Sequence, residues 1–236
     1  MLSIWKRELQ GYFYTPVGYV FMGVFLTLSS VIFFLTIMQS RSSDLLTFIG
    51  TMSYLWMLLC PVLTMRLLAE EKQKRTDQLL LTSPVSLGGL VLGKFFAAVA
   101  MYAIAVSITV VYSIILAGFA SLEWMVVIGN IFGALLFGAA LISIGLFISS
   151  MTENQMIAAV GTFAVMMFIM MMDSVSSILP ASFAFIGELL AKLSFLARYD
   201  ELVTGVLDIS TILFFISVAA VFNFLTVRVL EKKRWD

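Results

Sequence analysis

The chain has 236 residues, of which 61% are hydrophobic and 12% are charged, and its formal net charge is zero. A water-soluble domain cannot bury so large an apolar fraction, so the composition indicates an integral membrane protein, and the balanced charge argues against a nucleic-acid partner. The sequence has no histidine, a single cysteine (Cys60) and no GxxxxGK[ST] phosphate loop. We therefore expect no intrachain disulfide, no metal site, no cofactor and no enzymatic activity in the chain itself.

The first predicted element is an amphipathic helix in residues 3–16, SIWKRELQGYFYTP. Helical spacing gives the segment an apolar face made of Trp5, Leu9, Tyr12 and Phe13, and a polar face made of Lys6, Arg7 and Gln10. Such a helix lies at the headgroup level of a bilayer, and Pro16 would end it before the first span. The pattern fits a plain membrane anchor as well as a functional contact.

Six apolar runs predict six transmembrane helices, because about 20 apolar residues cross a bilayer core as a helix. They form a single all-α transmembrane domain over residues 1–236 and cover 17–38, 45–65, 91–118, 125–149, 155–172 and 209–230. Eleven of the fourteen lysines and arginines fall on the side that holds both termini. Because positive residues remain in the cytoplasm, we expect both termini to be cytoplasmic.

The densest charge cluster, residues 66–86, separates the second and third runs. Glu70 precedes Lys74, and Glu71 precedes Arg75, by four residues, which favours helix. Leu79 to Leu81 follow, and Ser83 before Pro84 is typical of the start of a new helix. The pattern predicts a stiff helix continuous with span two, with leucines at its tip for a partner protein; the alternative is a solvated loop that only fixes topology.

The fourth and fifth runs contain two further patterns. Small residues recur at four-residue spacing in Gly129–Gly133, Ala134–Gly138 and Gly145–Ser149, which allows close helix packing within the subunit or across a dimer. Seven of the fifteen methionines fall within 151–172. Methionine suits surfaces that accept varied apolar partners, so Met166, Met167, Met170 and Met171 are candidates for the path of a lipid-like cargo; ordinary packing is the alternative.

Residues 173–208 join the fifth and sixth runs and are too long for a structureless connection. They place apolar side chains at helical spacing at Phe185, Ile186, Leu189, Leu190 and Leu193. We predict one or two short amphipathic helices there that dip into the outer leaflet.

The run AEEKQKRTDQLLLTSPVS resembles the first cytoplasmic loop of ABC type-2 transporter permeases, and is similar to the six-span subgroup of gliding-motility and nitrous-oxide-reductase maturation permeases. The matching positions are Glu70, Glu71, Arg75, Thr76, Asp77, Leu79, Leu80, Thr82, Ser83 and Pro84. Arg75 stands where family members often carry glycine. The segment 195–215, with Gly205 and Asp208, and the N-terminal helix are weaker matches.

The resemblance implies a dimer of six-span subunits, homo- or heteromeric, each bound to an ABC ATPase subunit that holds ATP and Mg²⁺. The matched positions would form the coupling helix, and ATP-driven alternating access would export a substrate across a bacterial cytoplasmic membrane. The same physics suits a non-transporting complex that acts mechanically on envelope partners. An ATP-independent transporter or channel is a further alternative, but it would need charges near the bilayer midplane or broken helices; the spans have no charge near the midplane, and only Pro61 interrupts one.

Overall fold

The computed structural model describes residues 2–39, 45–75, 86–119, 124–178, 194–203 and 208–235. Within these ranges the chain forms ten α-helices and one π-helical stretch, Phe34–Gln39, which continues α2. The helices are α1 Leu2–Tyr14, α2 Pro16–Phe33, α3 Leu45–Thr64, α4 Ala69–Gln73, α5 Leu87–Val106, α6 Ile108–Ala117, α7 Trp124–Met151, α8 Gln155–Ile178, α9 Phe195–Val203 and α10 Ile209–Trp235.

Six segments of the described chain are helical, long enough and apolar enough to cross a membrane, which confirms the predicted number of spans. They are Pro16–Ile37, Thr47–Gln73, Leu87–Ala117, Trp124–Met151, Gln155–Met172 and Ile209–Lys233, the second of which comprises most of α3, the turns at 65–68 and α4. The spans formed by α3 and α7 are the most buried, at 67% and 61% of their apolar windows, and α10 is the least, at 17%. Helices α3 and α7 therefore form the centre of the bundle, and α10 lies at its periphery.

Small residues on α7 allow three other helices to approach it closely. A Cβ at Gly133 would lie 3.1 Å from the Leu202 side chain of α9. A Cβ at Gly138 would overlap the Tyr102 ring of α5, and one at Gly145 would overlap Thr64 at the end of α3. At these three positions the small-residue pattern serves packing inside the subunit, which was one of the two predicted uses.

A short helix, α9, precedes the last span. Leu196, Tyr199, Leu202 and Val203 are buried, and α9 packs on α7, α8 and α3 as well as on α10. The Tyr199 ring lies 4.7 Å from that of Phe137 near the middle of α7, so α9 enters the bundle. The other predicted helical positions, from Phe185 to Leu193, lie outside the described residues.

The prediction that the charged helix is continuous with span two is wrong for the described residues. Helix α3 passes Pro61 and ends at Thr64, residues 65–68 form turns, and α4 is a separate helix of only five residues. Arg75 follows with φ 54°, the left-handed conformation that ends helices. The described part of the third span begins after Ser86, whose hydroxyl accepts a hydrogen bond from Gly89 N at 3.3 Å; the predicted cap, Ser83 before Pro84, lies outside the described residues.

Seven of the ten coupling positions matched by the resemblance lie outside the described residues. They are Thr76, Asp77, Leu79, Leu80, Thr82, Ser83 and Pro84. The structure therefore describes the base of the predicted coupling segment, which consists of Glu70, Glu71 and Arg75 with the rest of α4.

Candidate functional site: the base of the α4 segment

The start of α4 is capped by a hydroxyl from a distant helix. Leu68 precedes the helix without any side-chain cap of its own. Instead, Ser149 Oγ near the end of α7 accepts hydrogen bonds from Leu68 N at 3.1 Å and Ala69 N at 3.0 Å, and donates one to Met65 O at 3.2 Å. A hydroxyl has two acceptor sites and one donor, so all its hydrogen-bonding capacity is used. The turn and the start of α4 are thus fixed to α7.

A second contact fixes α4 to the same end of α7. Lys72 is buried, and its Nζ donates a hydrogen bond to the backbone carbonyl of Ser150. Leu67, Leu68 and Ala69 beside it are between 0% and 3% exposed. One side of this short helix is therefore enclosed by the bundle, whereas Lys74 and Arg75 at its other end are exposed.

A buried lysine joins three helices in what we call the Lys94 cluster: Arg7 and Glu8 of α1, Glu71 of α4 and Lys94 of α5. Lys94 is 1% exposed, and its Nζ lies 2.7 Å from Glu71 Oε1 and 3.3 Å from Glu8 Oε1. Arg7 lies 2.9 Å from Glu8 and 3.7 Å from Glu71. A buried ammonium is tolerated when opposite charges compensate it, and here the carboxylates of Glu8 and Glu71 compensate Lys94.

The two neighbouring acids of α4 have different partners. Glu70 accepts hydrogen bonds from Lys74 Nζ at 2.6 Å, which confirms the predicted pair, and from Arg66 Nε at 2.7 Å. The predicted partner of Glu71 was Arg75, but its carboxylate lies on Lys94. The reason is that α4 ends at Gln73 and the chain then turns at Arg75, so these two residues do not share a helix face.

Helix α1 is part of this end of the bundle. Ile4 packs against α5, where a Cβ added at Gly93 would lie 3.0 Å from the Ile4 side chain. Tyr12 was predicted on an apolar face at the headgroup level, but it is buried in the bundle and its hydroxyl donates to Leu63 O at 3.0 Å. Burial and the nearby Glu8 carboxylate raise the pKa of Tyr12 above 10.0, so the phenol keeps the proton that it donates.

The other residues of the predicted α1 faces are partly or fully accessible. Trp5 and Leu9 are half-buried, and Lys6, Arg7, Gln10 and Phe13 are exposed. The exposed part of α1 therefore presents both basic and aromatic side chains, which suits a position between headgroups and protein.

Three of the four predicted cargo methionines line one groove. Met166, Met167 and Met170 of α8 form it together with Ile32 of α2 and with residues of α3, and its volume is about 310 Å³. The α3 residues are Thr51, Tyr54, Leu55, Met57 and Leu58. Met171 is 59% exposed and is not part of the lining. The groove is apolar and is bounded by spans one, two and five.

The polar groups around α4 are joined by ion pairs and hydrogen bonds to the neighbouring parts of the chain. No group of three or more His, Cys, Asp or Glu side chains in the described part of the chain could hold a metal ion.

Residues 28–235 match the model of a known family, described as ABC-2 family transporter protein. The chain belongs to the ABC-2 family. Comparison with curated proteins gave no match. Family membership and the six apolar helices make the chain a multi-pass membrane protein and a permease of the ABC transporter class, and they imply that it pairs with an ABC ATPase.

The structure of this ABC-2 permease brings together residues that the sequence interpretation did not assign to the site. Glu8, Lys94, Ser149 and Ser150 all contact α4 or its partners. Lys94 could have been noticed in the sequence, because a lysine inside a predicted span needs a partner of opposite charge. The sequence analysis used it only in the count of lysines and arginines that orients the spans. Ser149 carried no signal of this role, because its partners are about 80 residues away in the chain.

Proposed function

We propose that the chain is the transmembrane subunit of an ABC exporter that pairs with a second permease copy and with separate ATPase subunits in a bacterial cytoplasmic membrane. ATP-driven closure of the ATPase pair would displace the α4 segment, and the spans would rearrange between inward-facing and outward-facing states. Membership in the ABC-2 family supports this proposal. So does the distribution of lysine and arginine, which favours a cytoplasmic position for α4.

The observation that carries the proposal is the way α4 is attached to the spans. Its backbone is hydrogen-bonded to Ser149, its Lys72 to the carbonyl of Ser150, and its Glu71 to Lys94. Breaking one partner out of a buried ion pair costs about 3–5 kcal/mol. A force on α4 is therefore transmitted to α5 and α7 more easily than it detaches α4 from them.

The groove lined by Met166, Met167 and Met170 is our proposed cargo path. Its walls are apolar and come from spans one, two and five. Flexible thioether side chains adapt to apolar molecules of different shape. This supports a lipid-like or amphipathic substrate.

The deciding experiment concerns the ATPase contact. Leu79 and Leu80, which lie outside the described residues, would be replaced together by aspartate, and the permease would be isolated from its native membrane. Burying a leucine side chain contributes about 1.5–3 kcal/mol, so losing two of them weakens association by roughly 100-fold or more. We expect an ABC ATPase to co-purify with the native chain and to be absent from the aspartate variant.

The matched control is the double substitution Leu79→Met and Leu80→Met, which keeps an apolar surface of similar volume. It should retain the ATPase. Membrane insertion is measured for all three proteins, so that a loss of association is not confused with a loss of the permease. Retention of the ATPase by an inserted aspartate variant would refute the coupling assignment.

A further inference from the structure

Helix α4 contacts two parts of the bundle by different means. It packs directly on α7 and α8, while α1 packs on α5, which itself packs on α7. Between these two groups, the Glu71 carboxylate extends from α4 to Lys94 of α5 at 2.7 Å and to Arg7 of α1 at 3.7 Å. The ion pairs of Glu71 thus bridge α4 and the α1–α5 unit.

We propose that Glu71 and Lys94 are positioning residues that make the α1–α5 unit move together with α4. The inference rests on the proposed function, and it changes the role of Glu71. The resemblance assigned this residue to the ATPase contact, whereas its carboxylate is 17% exposed and points to a lysine that is 1% exposed. Glu71 is therefore an internal link, and the N-terminal helix is a moving part of the transmission unit.

The charge balance of the Lys94 cluster explains why the Glu71–Lys94 ion pair is strong and why it can be removed without unfolding the protein. Two carboxylates and two cations lie within 4 Å contacts of one another, so each charge is compensated. When Glu71 is replaced by glutamine, Lys94 keeps Glu8 at 3.3 Å, and Arg7 keeps Glu8 at 2.9 Å. Helix α1 also keeps the hydrogen bond from Tyr12 to Leu63. Glu71→Gln should therefore remain folded.

The test follows two distances in the full chain bound to its ATPase in nanodiscs, without nucleotide and with ATP trapped. Cys60, which is buried, is replaced by alanine so that labels attach only at introduced cysteines. One spin-label pair joins Gln73 of α4 to Leu213 of α10, and the other joins Gln10 of α1 to Leu213. All three side chains are exposed. In the otherwise native protein, we expect both distances to change on ATP trapping.

In Glu71→Gln, we expect the distance from Gln73 to Leu213 to change on ATP trapping as it does in the native protein. The distance from Gln10 to Leu213 should no longer change. The charge exchange Glu71→Lys with Lys94→Glu restores opposite charges at the same two positions, so it should recover the α1 change. An ATPase contact by Glu71 would not be rescued in this way. Glu231→Gln, the same chemical change at an ion pair within α10, is the matched control and should leave the α1 change intact.

Two results of the distance measurements would overturn the inference, and a third would overturn the proposed function. A full α1 change in Glu71→Gln overturns the inference, and so does a charge exchange that fails to recover a lost change. If the α4 distance does not respond to ATP in the otherwise native complex, the proposed function itself fails, and the inference fails with it. That result is recognised without any variant in the cluster.

Discussion

Removing the Ser149 hydroxyl should release the start of α4 from α7. In Ser149→Ala, Leu68 N and Ala69 N lose their shared acceptor, and Met65 O loses a donor. Leu68 and Ala69 are 3% and 0% exposed, so water cannot easily replace the hydroxyl. The substitution therefore leaves polar backbone groups buried without partners.

The magnitude follows from two known costs. A buried donor left unsatisfied costs about 1–3 kcal/mol, and loss of a helix N-cap costs about 0.5–2 kcal/mol. Because one hydroxyl serves two adjacent N–H groups that can relax together, we take about 2–3 kcal/mol for the site. At about 1.4 kcal/mol per factor of ten, the α4 region should open roughly 30 to 150 times more often.

Hydrogen exchange of the backbone amides in residues 65–75 measures this opening directly. The control is Ser143→Ala, which removes a fully buried serine hydroxyl from the same helix. That hydroxyl donates only to Ala140 O, one turn earlier in α7, at 2.6 Å. Exchange in the α4 region should be unchanged in the control. If Ser149→Ala accelerates exchange no more than Ser143→Ala does, the proposed capping by Ser149 is wrong.

Two further substitutions test the packing and the end of α4. Gly138→Ala should destabilise the subunit, because the new methyl overlaps the buried Tyr102 ring. Gly23→Ala has open space and should be neutral or slightly stabilising, so equal melting temperatures for the two variants would contradict the close approach of α5 and α7. Arg75→Gly should slow hydrogen exchange in α4 roughly fivefold, because a φ of 54° costs an L-residue about 1 kcal/mol and glycine avoids that cost. Arg75→Ala should leave the exchange rate unchanged. An equal effect of both changes at Arg75 would refute the argument from backbone strain.

The transmembrane part of the fold was predictable because its signal is long and local. An apolar run of span length has few alternatives once it must lie in lipid. The fourth span was predicted at 125–149, and α7 covers Trp124–Met151. The small residues at four-residue spacing predicted that another helix approaches α7 closely, within the subunit or across a dimer, but they did not say that α3 and α5 do so.

The base of α4 was not predictable, because what shapes it is not local. The charges of residues 70–75 favour a continuous helix, yet the helix is interrupted by turns at 65–68. There Ser149 of α7 accepts hydrogen bonds from the backbone N–H groups that the interruption leaves without helical partners. Lys94 was visible as a lysine in an apolar run. That it would meet acids from both α1 and α4 depends on how three helices pack, which helical periodicity does not specify.

The two acids of α4 show how adjacent residues with the same chemistry acquire different roles. Successive residues on a helix point about 100° apart, so Glu70 faces Arg66 and Lys74 while Glu71 faces Lys94. Both carboxylates are less than 20% exposed, so neither is free to form the main contact with another protein. The exposed residues are Gln73, Lys74 and Arg75 at the end of the helix. The acidic pair therefore fastens α4 to its neighbours in the bundle, and the side chains that α4 leaves exposed are at its end.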